Sequence, residues 1–198
     1  MTFIARLLWI TVSAAIAIAL GAYSAEHVTR TFDGFAPLTT GAWHAYPGIA
    51  TDSADPYARA HMSRTGRLPV ADTEGIVFSA QTDDTGAPLV STCNYALVGE
   101  VPPNRLWTFT VTPVTSGSNV MIAPPITSRS HIRSANDQVI LNAGPTPSGG
   151  NWFRFASDGD VATPLSMVLS LYDSPVATAS AFSELKMPSI TRKDCLDG

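Results

Sequence analysis

The chain has 198 residues, of which 14% are charged and 45% are hydrophobic, and its formal net charge at pH 7 is −4. This length is enough for one domain with a sizeable core. A slightly acidic chain without blocks of like charge lacks the basic face of a nucleic-acid-binding protein and the polybasic tail of a lipid-surface binder, so we expect neither activity.

The first long segment without charge is residues 7–25, whose length is close to the ~20 residues that a helix needs to cross a bilayer core. Trp9 and Tyr23 lie near its two ends, where amphipathic rings favour the membrane interface. Arg6 precedes the segment, and a positive charge favours the cytoplasmic side. We therefore expect residues 1–25 to form a single transmembrane helix, with a cytoplasmic N-terminus and an exported C-terminal domain.

The alternative interpretation of this segment is a cleaved signal peptide. Ala22 and Ser24 place small residues at the spacing of a cleavage site after Ser24. However, the n-region has one basic residue, Arg6, and the apolar run is longer than the usual h-region. The length favours a retained anchor, and the cleaved leader stays open as an alternative.

The rest of the chain is rich in Thr, Ser and Val, and the whole sequence has 14 Gly and 15 Pro. This composition predicts short strands joined by tight turns. Residues 26–50 contain four aromatic residues, too many for a flexible tether, so we expect a linker followed by an approach segment that packs on the domain or the membrane surface. Residues 51–198 are predicted to form a β-sandwich domain. The aromatic residues of the approach segment are Phe32, Phe35, Trp43 and Tyr46.

One short soluble helix is predicted near the start of this domain. Asp55 is a suitable N-cap, Pro56 suits the first helical turn, and Gly66 suits the C-terminal stop.

Apolar periodicity predicts the strands. Trp107, Phe109 and Val111 alternate with threonines, which indicates a half-buried strand. Residues 165–172 form a near-continuous apolar run that is typical of a central core strand. A strand over 89–98 is predicted to return beside the strand at 76–80 after a turn at 83–86. Further predictions are strands at 120–123, 138–142 and from 152, a turn at 158–160 and a short helix at 177–185. The fold class is therefore mainly β, a sandwich of the jelly-roll kind.

The two cysteines, Cys93 and Cys195, have different meanings in different compartments. In the cytosol they would be incidental thiols, whereas in an exported domain an even pair indicates a disulfide. Such a crosslink closes a loop of about a hundred residues, which the chain-entropy model values at roughly 4–5 kcal/mol. Two isolated cysteines without histidines at ligand spacing do not make a zinc site, so no metal is expected.

Several short motifs, taken together, resemble a known family. They are Asp55-Pro56-Tyr57-Ala58-Arg59-Ala60, Glu74-Gly75-Ile76-Val77-Phe78, Asp83, Gly86, Pro88-Leu89, Cys93, Tyr95, Pro102-Pro103, Trp107-Thr108-Phe109-Thr110, Gly150-Asn151-Trp152 and Leu169-Ser170-Leu171-Tyr172-Asp173. The combination covers most of the chain after Trp43 and resembles the domain-of-unknown-function 1214 family, in the short membrane-anchored form found in alphaproteobacteria.

The resemblance implies a jelly-roll-like β domain and a frequent companion, domain-of-unknown-function 1254, either fused to it or encoded beside it. It implies no activity and no catalytic residues. The chain departs from the family pattern at Phe153-Arg154, where Leu-Pro is usual, and at Ser170, where Arg is usual.

Candidate chemical groups are few. The four histidines lack ligand spacing, and no cofactor motif is present, so no cofactor is expected. The carboxylates at 83–84 and 158–160 lack the distal Glu of a calcium loop and are predicted to be solvated turns. Glu74 is predicted to be a buried acid, paired with Arg59 or Arg64 of the helix.

The most suggestive polar group is Arg129, His131 and Arg133. On a strand these alternate residues share one face and form a cationic stripe suited to phosphate or carboxylate groups. The alternative is an ordinary solvated sheet face. A group of aromatic residues either lines a ligand cleft or belongs to the core; it consists of Trp107, Phe109, Trp152 and Phe155.

Together with the resemblance, these observations predict a single-pass protein of a bacterial inner membrane, whose C-terminal domain is a periplasmic binding or assembly module that acts with a companion envelope protein. The alternative is an envelope hydrolase or carbohydrate-active enzyme on a jelly-roll scaffold, with Glu74 and Asp83 or Asp84 as acid and base. A third possibility is a spacer that stiffens a membrane complex without binding a ligand.

Overall fold

The computed structural model describes residues 2–31, 37–52, 54–65, 70–71, 73–114, 120–136, 138–157, 162–178 and 185–196. The chain divides into two compact units. The first contains the helices α1 (Thr2–Thr31) and α2 (Pro56–Thr65), and the second contains the strands and a short 3-10 helix at Pro175–Thr178. The strands are β1 (Leu38–Thr40), β2 (Trp43–Ala45), β3 (Gly75–Ala80), β4 (Cys93–Gly99), β5 (Leu106–Pro113), β6 (Val120–Ile122), β7 (Ile126–Thr127), β8 (Val139–Gly144), β9 (Asn151–Ser157), β10 (Leu165–Tyr172) and β11 (Ser189–Cys195).

Helix α1 confirms the predicted N-terminal apolar helix. Among the described residues it is the one helix long and apolar enough to cross a membrane, over Phe3–Thr29. Its large apolar side chains face outward, with Trp9 70% and Ile18 73% exposed. The helix continues beyond residue 25 to Thr31, so the first residues of the predicted linker are helical.

Helix α2 begins where the sequence predicts. The Asp55 carboxylate accepts hydrogen bonds from the backbone N–H groups of Tyr57 at 2.8 Å and Ala58 at 3.2 Å, as an N-cap residue does. Within the same unit, His61 is buried and its Nδ1 lies 3.1 Å from the carbonyl oxygen of Thr29. That carbonyl is in the last turn of α1, where carbonyls lack a helical partner, so the imidazole satisfies it. Gly66, the predicted stop, lies outside the described residues.

The second unit is a mainly β sandwich, as predicted. A six-stranded sheet has the order β1-β2-β3-β10-β5-β7, and a five-stranded sheet has the order β11-β4-β8-β9-β6. The pairs are antiparallel except β8 and β9, which run parallel. Phe109 of the first sheet meets Phe153 of the second edge to face at 5.5 Å, within a core that both sheets supply. The finer jelly-roll label stays a prediction.

Strand β10 has the bounds predicted from its apolar run and lies between β3 and β5. The side chains of Leu165, Met167, Leu169 and Leu171 are all buried. Neighbouring strand β5 buries its apolar residues and leaves Thr108 and Thr110 half-buried, which confirms the predicted alternation. Both patterns follow from position, because an interior strand of a covered sheet has no edge and at most one wet face.

The predicted return of residues 89–98 beside β3 is wrong. The chain begins to return, since Thr82 bridges Pro88 and the Leu89 N–H donates to Gln81. It then leaves β3, and Val90 bridges Pro164 instead. The two edges of β3 are occupied by β2 and β10, so β4 pairs with β8 and β11 in the other sheet.

Two further predictions fall partly or wholly outside the described residues. The predicted helix at 177–185 overlaps the end of the 3-10 helix Pro175–Thr178, and residues 179–184 are not described. The predicted turn at 158–160 also lies outside the described residues.

The predicted disulfide is present. Cys93 and Cys195 are bonded and are direct partners in the β4–β11 ladder, at a sequence separation of 102 residues. Strand β11 is the edge of its sheet, and the segment before it is held by Trp43, whose indole N–H donates to the Pro188 carbonyl at 2.7 Å. The disulfide therefore stabilises an edge strand that has a neighbour on one side only.

Replacing Cys93 and Cys195 together by serine is expected to lower the free energy of unfolding by roughly 2–5 kcal/mol, because the unfolded chain regains the entropy of an open loop. Urea unfolding of the full chain in a mild detergent, followed by near-ultraviolet circular dichroism, measures the change. Wild-type protein treated with a reductant is the matched control and should unfold at the same urea concentration as the serine variant. Equal stability of the oxidised and reduced wild type would contradict the prediction.

Candidate functional site

Basic side chains meet in a cleft at one end of the six-stranded sheet. This basic cleft has a volume of about 460 Å³, and the described residues that line it include three arginines and a histidine but no carboxylate. A smaller cleft of about 290 Å³ adjoins it, shares Arg105, Ser128, His131 and Arg133, and extends to Pro102 and Pro103. The residues of the basic cleft are Arg105, Leu106, Ser128, Arg129, His131 and Arg133.

The predicted stripe of Arg129, His131 and Arg133 does line one surface, but not on a strand. Strand β7 ends at Thr127, and residues 128–134 form a turn and a loop. Thr127 Oγ1 accepts a hydrogen bond from the Ser130 N–H at 3.2 Å, so a local side-chain bond competes with the strand ladder and ends it. The predicted strand is wrong, and the predicted grouping is present through a different geometry.

Arg105 was not identified from the sequence. It directly precedes β5, and its N–H donates to the carbonyl of Tyr172, the last residue of β10. This pairing places Arg105 at the sheet end where the loop after β7 also lies. No spacing rule connects residue 105 to residues 129–133, because the connection depends on strand order.

His131 is oriented by two contacts. Its ring lies 4.9 Å from the ring of Trp107, and its Nδ1 lies 3.0 Å from the Ser128 carbonyl oxygen. A carbonyl only accepts hydrogen bonds, so Nδ1 carries the proton that is donated there. The other ring nitrogen, Nε2, is left for a ligand or for water.

Asn151 fixes the loop that carries these cations. Its side-chain oxygen accepts from the Ile132 N–H at 2.5 Å, and its NH₂ group donates to the carbonyls of Ile132 at 2.8 Å and Ile140 at 2.9 Å. An amide is the side chain with a donor and an acceptor side by side, which this geometry requires. One residue of β9 thus ties the loop to the five-stranded sheet.

The guanidinium groups of the cleft are largely free. Arg129 and Arg133 are exposed, and within the described part of the chain neither side chain makes a hydrogen bond or an ion pair. Arg105 lies 3.7 Å from Asp173, but these side chains are 78% and 73% exposed, so the pair contributes at most about 1 kcal/mol. The cleft can therefore present its positive charge to an anion.

The candidate acids have structural positions. Asp83 is buried, against the prediction of a solvated turn, and its carboxylate accepts hydrogen bonds from the Thr85 hydroxyl and N–H and from the Ala87 N–H. Arg192 of β11 adds an ion pair at 3.3 Å. Asp84 is exposed, and its carboxylate accepts from the Ile190 N–H at 2.9 Å. Both aspartates therefore bind the turn at 83–86 to the last strand.

The pKa of Asp83 reflects this environment. Burial raises the pKa, but the hydrogen bonds from Thr85 and Ala87 and the charge of Arg192 oppose burial and leave the pKa below its ordinary value. A carboxyl held ionised in this way is a poor proton donor at neutral pH.

Glu74 is exposed, so the prediction of a buried acid is wrong. Its position is fixed by its backbone, whose carbonyl accepts from the Asp173 N–H at 2.7 Å. Glu74 precedes β3 and Asp83 follows it. The six residues of β3 span roughly 17–20 Å, more than the ~10 Å within which a glycosidase pair acts. The alternative acid–base pair therefore lacks the required geometry.

The aromatic group belongs mostly to the core. Trp107, Phe109 and Phe155 are buried. Trp152 is half-buried, donates from its indole N–H to the Gly144 carbonyl at 3.2 Å, and borders a shallow cleft of about 130 Å³ with Asn94 and Asn142. The described residues contain no cluster of three metal-ligating side chains.

Residues 74–175, just over half of the chain, match the profile of a family described as "Protein of unknown function (DUF1214)". The chain belongs to this family. The matched DUF1214 region contains every residue of the basic cleft, together with Asn151 and Asp83. It excludes α1, α2 and β11. The cleft is thus a feature of the DUF1214 region itself, while the apolar helix lies outside that region.

Two solved structures are similar to this DUF1214 chain. The VPA0106 protein from Vibrio parahaemolyticus has a TM-score of 0.52 and 15% identity over 72% of this chain and 36% of its own length. An uncharacterised protein from Burkholderia cenocepacia has a TM-score of 0.44 and 14% identity over 86% of this chain and 40% of its own. The chain thus spans about two fifths or less of their lengths, and the Vibrio structure supports the fold alone. No curated protein matches the DUF1214 chain.

Asp83→Asn is expected to lower the free energy of unfolding at pH 7 by about 2–4 kcal/mol, because the buried carboxylate loses its charge-assisted hydrogen bonds from Thr85 and Ala87 and its ion pair with Arg192. Since the folded-state pKa of Asp83 is lowered, its stabilisation is present above the ordinary carboxyl pKa and is lost as the pH falls through the folded-state value. The difference between wild type and variant should therefore narrow in acid below about pH 4.

Asp173→Asn is the matched control, since it removes the same charge from the exposed pair with Arg105 and should cost at most about 1 kcal/mol. Urea unfolding curves at several pH values measure both variants. Equal losses in the two variants would show that burial of the Asp83 pair has no importance.

Asn151→Ala is expected to loosen the loop at 128–134 without unfolding the sandwich. Loss of its hydrogen bond to the Ile132 N–H, worth about 1 kcal/mol, should speed amide exchange there roughly fivefold. Hydrogen–deuterium exchange of the full chain measures the rate. Asn142→Ala is the control, because its side chain donates to the Gly149 carbonyl on another loop. Unchanged exchange at 128–134 in Asn151→Ala would contradict the assigned clamp.

Proposed function

We propose that this DUF1214 protein is a single-pass inner-membrane protein whose β-sandwich acts in the periplasm as a binding or assembly module, together with a companion envelope protein. The observation that carries the proposal is α1. Its span over Phe3–Thr29 is 27 residues long and leaves its apolar side chains exposed. A helix that is apolar on every face needs lipid or a large protein around it.

The retained anchor is favoured over a cleaved leader by length, because the uncharged run at residues 7–25 is longer than the roughly 7–15 residues of a usual h-region. Arg6 favours a cytoplasmic N-terminus. This orientation exports the sandwich, where the Cys93–Cys195 disulfide persists, since disulfides are rare in the reducing cytosol. Helix, charge and disulfide therefore support the same compartment.

Binding, not catalysis, is supported by the side chains. The acids that the enzyme alternative requires, Glu74 and Asp83 or Asp84, lie at opposite ends of β3. The two aspartates bind the turn at 83–86 to β11. The accessible polar group is instead a cleft of cations on a fixed loop. Such a cleft suits recognition of an anionic group.

A companion protein is supported by two observations. The family resemblance implies a partner of the domain-of-unknown-function 1254 type. The Vibrio protein has a similar fold in 36% of its length, so this fold can occur beside further polypeptide.

Membranes of the native host, washed with alkaline carbonate, test the proposal. The tagged full chain should stay in the membrane pellet. Protease added to spheroplasts should digest the sandwich, because it lies outside the inner membrane. Detergent extraction and purification by the tag should also recover a companion of the domain-of-unknown-function 1254 type. The double variant Ile10→Arg and Ile16→Arg should leave the pellet, since each arginine costs about 2.5–3.5 kcal/mol at a helix centre.

The matched control is Ile10→Leu with Ile16→Leu, which keeps the apolar surface and should stay in the pellet. Recovery of the wild type in the soluble cytoplasmic fraction with both thiols reduced would overturn the proposal. Retention in membranes without any companion would overturn its assembly half.

A further inference from the structure

Four basic side chains line one concave surface of this acidic chain. The formal net charge is −4, with 12 Lys and Arg among 198 residues. Arg105, Arg129 and Arg133 line the basic cleft with His131, and no carboxylate is among the described residues that line it. A solvated surface of an acidic protein normally mixes the two signs of charge. A concave surface lined by basic side chains therefore indicates a binding role.

The type of cation also carries information. Each guanidinium presents planar paired donors that match the oxygens of a phosphate group, and arginine is over-represented where such groups are recognised. A carboxylate has two oxygens and one charge. Three arginines and an imidazole offer more donors and more charge than one carboxylate needs. A phosphate monoester, with a charge of about −1.5 to −2 at pH 7, suits the group better.

We propose that the basic cleft binds the phosphate group of an organic phosphate ester, with Arg105, Arg129 and Arg133 contacting the phosphate oxygens. The volume of about 460 Å³ lies in the range of small-molecule sites and accommodates more than a bare phosphate ion. The organic part of the ester extends towards the adjoining cleft at Pro102 and Pro103.

The backbone of the site is fixed before any ligand arrives. The Asn151 side-chain amide forms hydrogen bonds with both the N–H and the carbonyl of Ile132. The Ser128 carbonyl and the Trp107 ring contact the His131 imidazole and orient it. The side chains of Arg129 and Arg133 project from this fixed loop and are exposed. A site whose backbone is already ordered loses less conformational entropy on binding.

One acid lies close enough to compete. Asp173 is 3.7 Å from Arg105, and both side chains are mostly exposed. An exposed pair of this kind is weak, so a phosphate group displaces the Asp173 carboxylate from Arg105 at little cost. Asp173 also disfavours ligands that lack a strong negative charge.

The phosphate group can come from a lipid headgroup or from a soluble phosphate ester, and the chemistry at the arginines is the same. Calorimetric titration of the full chain in a maltoside detergent separates the two sources. The probes are glycerol 1-phosphate, dihexanoyl phosphatidic acid, inorganic phosphate and acetate. A lipid source predicts tightest binding of the short-chain phosphatidic acid, and a soluble source predicts tightest binding of glycerol 1-phosphate.

In either case, Arg129→Gln with Arg133→Gln should weaken binding of the preferred probe at least tenfold. The matched control is Arg154→Gln with Lys193→Gln, which removes the same charge from exposed positions outside the basic cleft and should change affinity less than twofold. Both double variants alter exposed side chains, and unchanged near-ultraviolet circular dichroism verifies their fold.

Three outcomes overturn the inference: no binding of either ester, binding of acetate as tight as that of the esters, or equal weakening in both double variants. The inference rests on the proposed function for the compartment in which the ester is met. Membrane fractionation of Arg129→Gln with Arg133→Gln keeps the two apart. If this double variant stays in the membrane pellet and the wild type binds neither ester, the phosphate site is overturned and the proposed membrane anchor is unaffected.

Discussion

The six-stranded sheet is held together by β10, which fills the gap between β3 and β5. Its eight residues pair with β5 along their whole length and with β3 over six of them. Its inward side chains are buried against the core that both sheets share. Burial of an aliphatic side chain contributes about 1.5–3 kcal/mol, so this strand supplies a large share of the apolar contact between the layers. The Arg105 N–H donates a hydrogen bond to the carbonyl of Tyr172 at the end of β10, so the position of the basic cleft depends on the same strand.

The basic cleft shows how loops acquire a defined geometry from a rigid scaffold. Its cations come from two connections that are distant in sequence, and strand order brings them together. The loop after β7 is held by the amide of Asn151 on β9, so both sheets contribute to its position. Binding residues placed on loops and positioned by strands are a general arrangement in β proteins. The Asp83–Arg192 pair performs a different task, because it joins the turn after β3 to β11 at the sheet edge.

Sequence patterns predicted the individual helices and strands more accurately than the pairing between strands. The bounds of β10, the alternation of β5 and the cap at Asp55 are local properties, and each was predicted because periodicity and capping act within a few residues. The position of β4 in the other sheet was not predicted. It depends on β10, located some 70 residues later, occupying the edge of β3. The disulfide was predicted because the N-terminal apolar segment indicates an exported domain, in which an even pair of cysteines is typically oxidised.

The site was predicted in part, for a reason that lies in Thr127 and Ser130. The spacing of Arg129, His131 and Arg133 suits a strand, and the sequence pattern gave no weight to the hydrogen bonds that end β7 before them. The three side chains still meet because a short turn also gathers alternate residues. Arg105 was missed since only the fold relates it to that loop. The prediction of a solvated Asp83 is wrong because its ion-pair partner, Arg192, follows more than a hundred residues later in the sequence.

The late position of β10 in the chain affects how the protein is made. A ribosome releases β3 and β5 well before it releases residues 165–172, so the nascent polypeptide carries two strands whose shared neighbour does not yet exist. Phe78 and Phe109, fully buried in the finished molecule, stay uncovered during that interval. Uncovered aromatic strands of this kind promote aggregation. The six-stranded sheet of this protein can therefore close only late in biosynthesis, after residues 165–172 have left the ribosome.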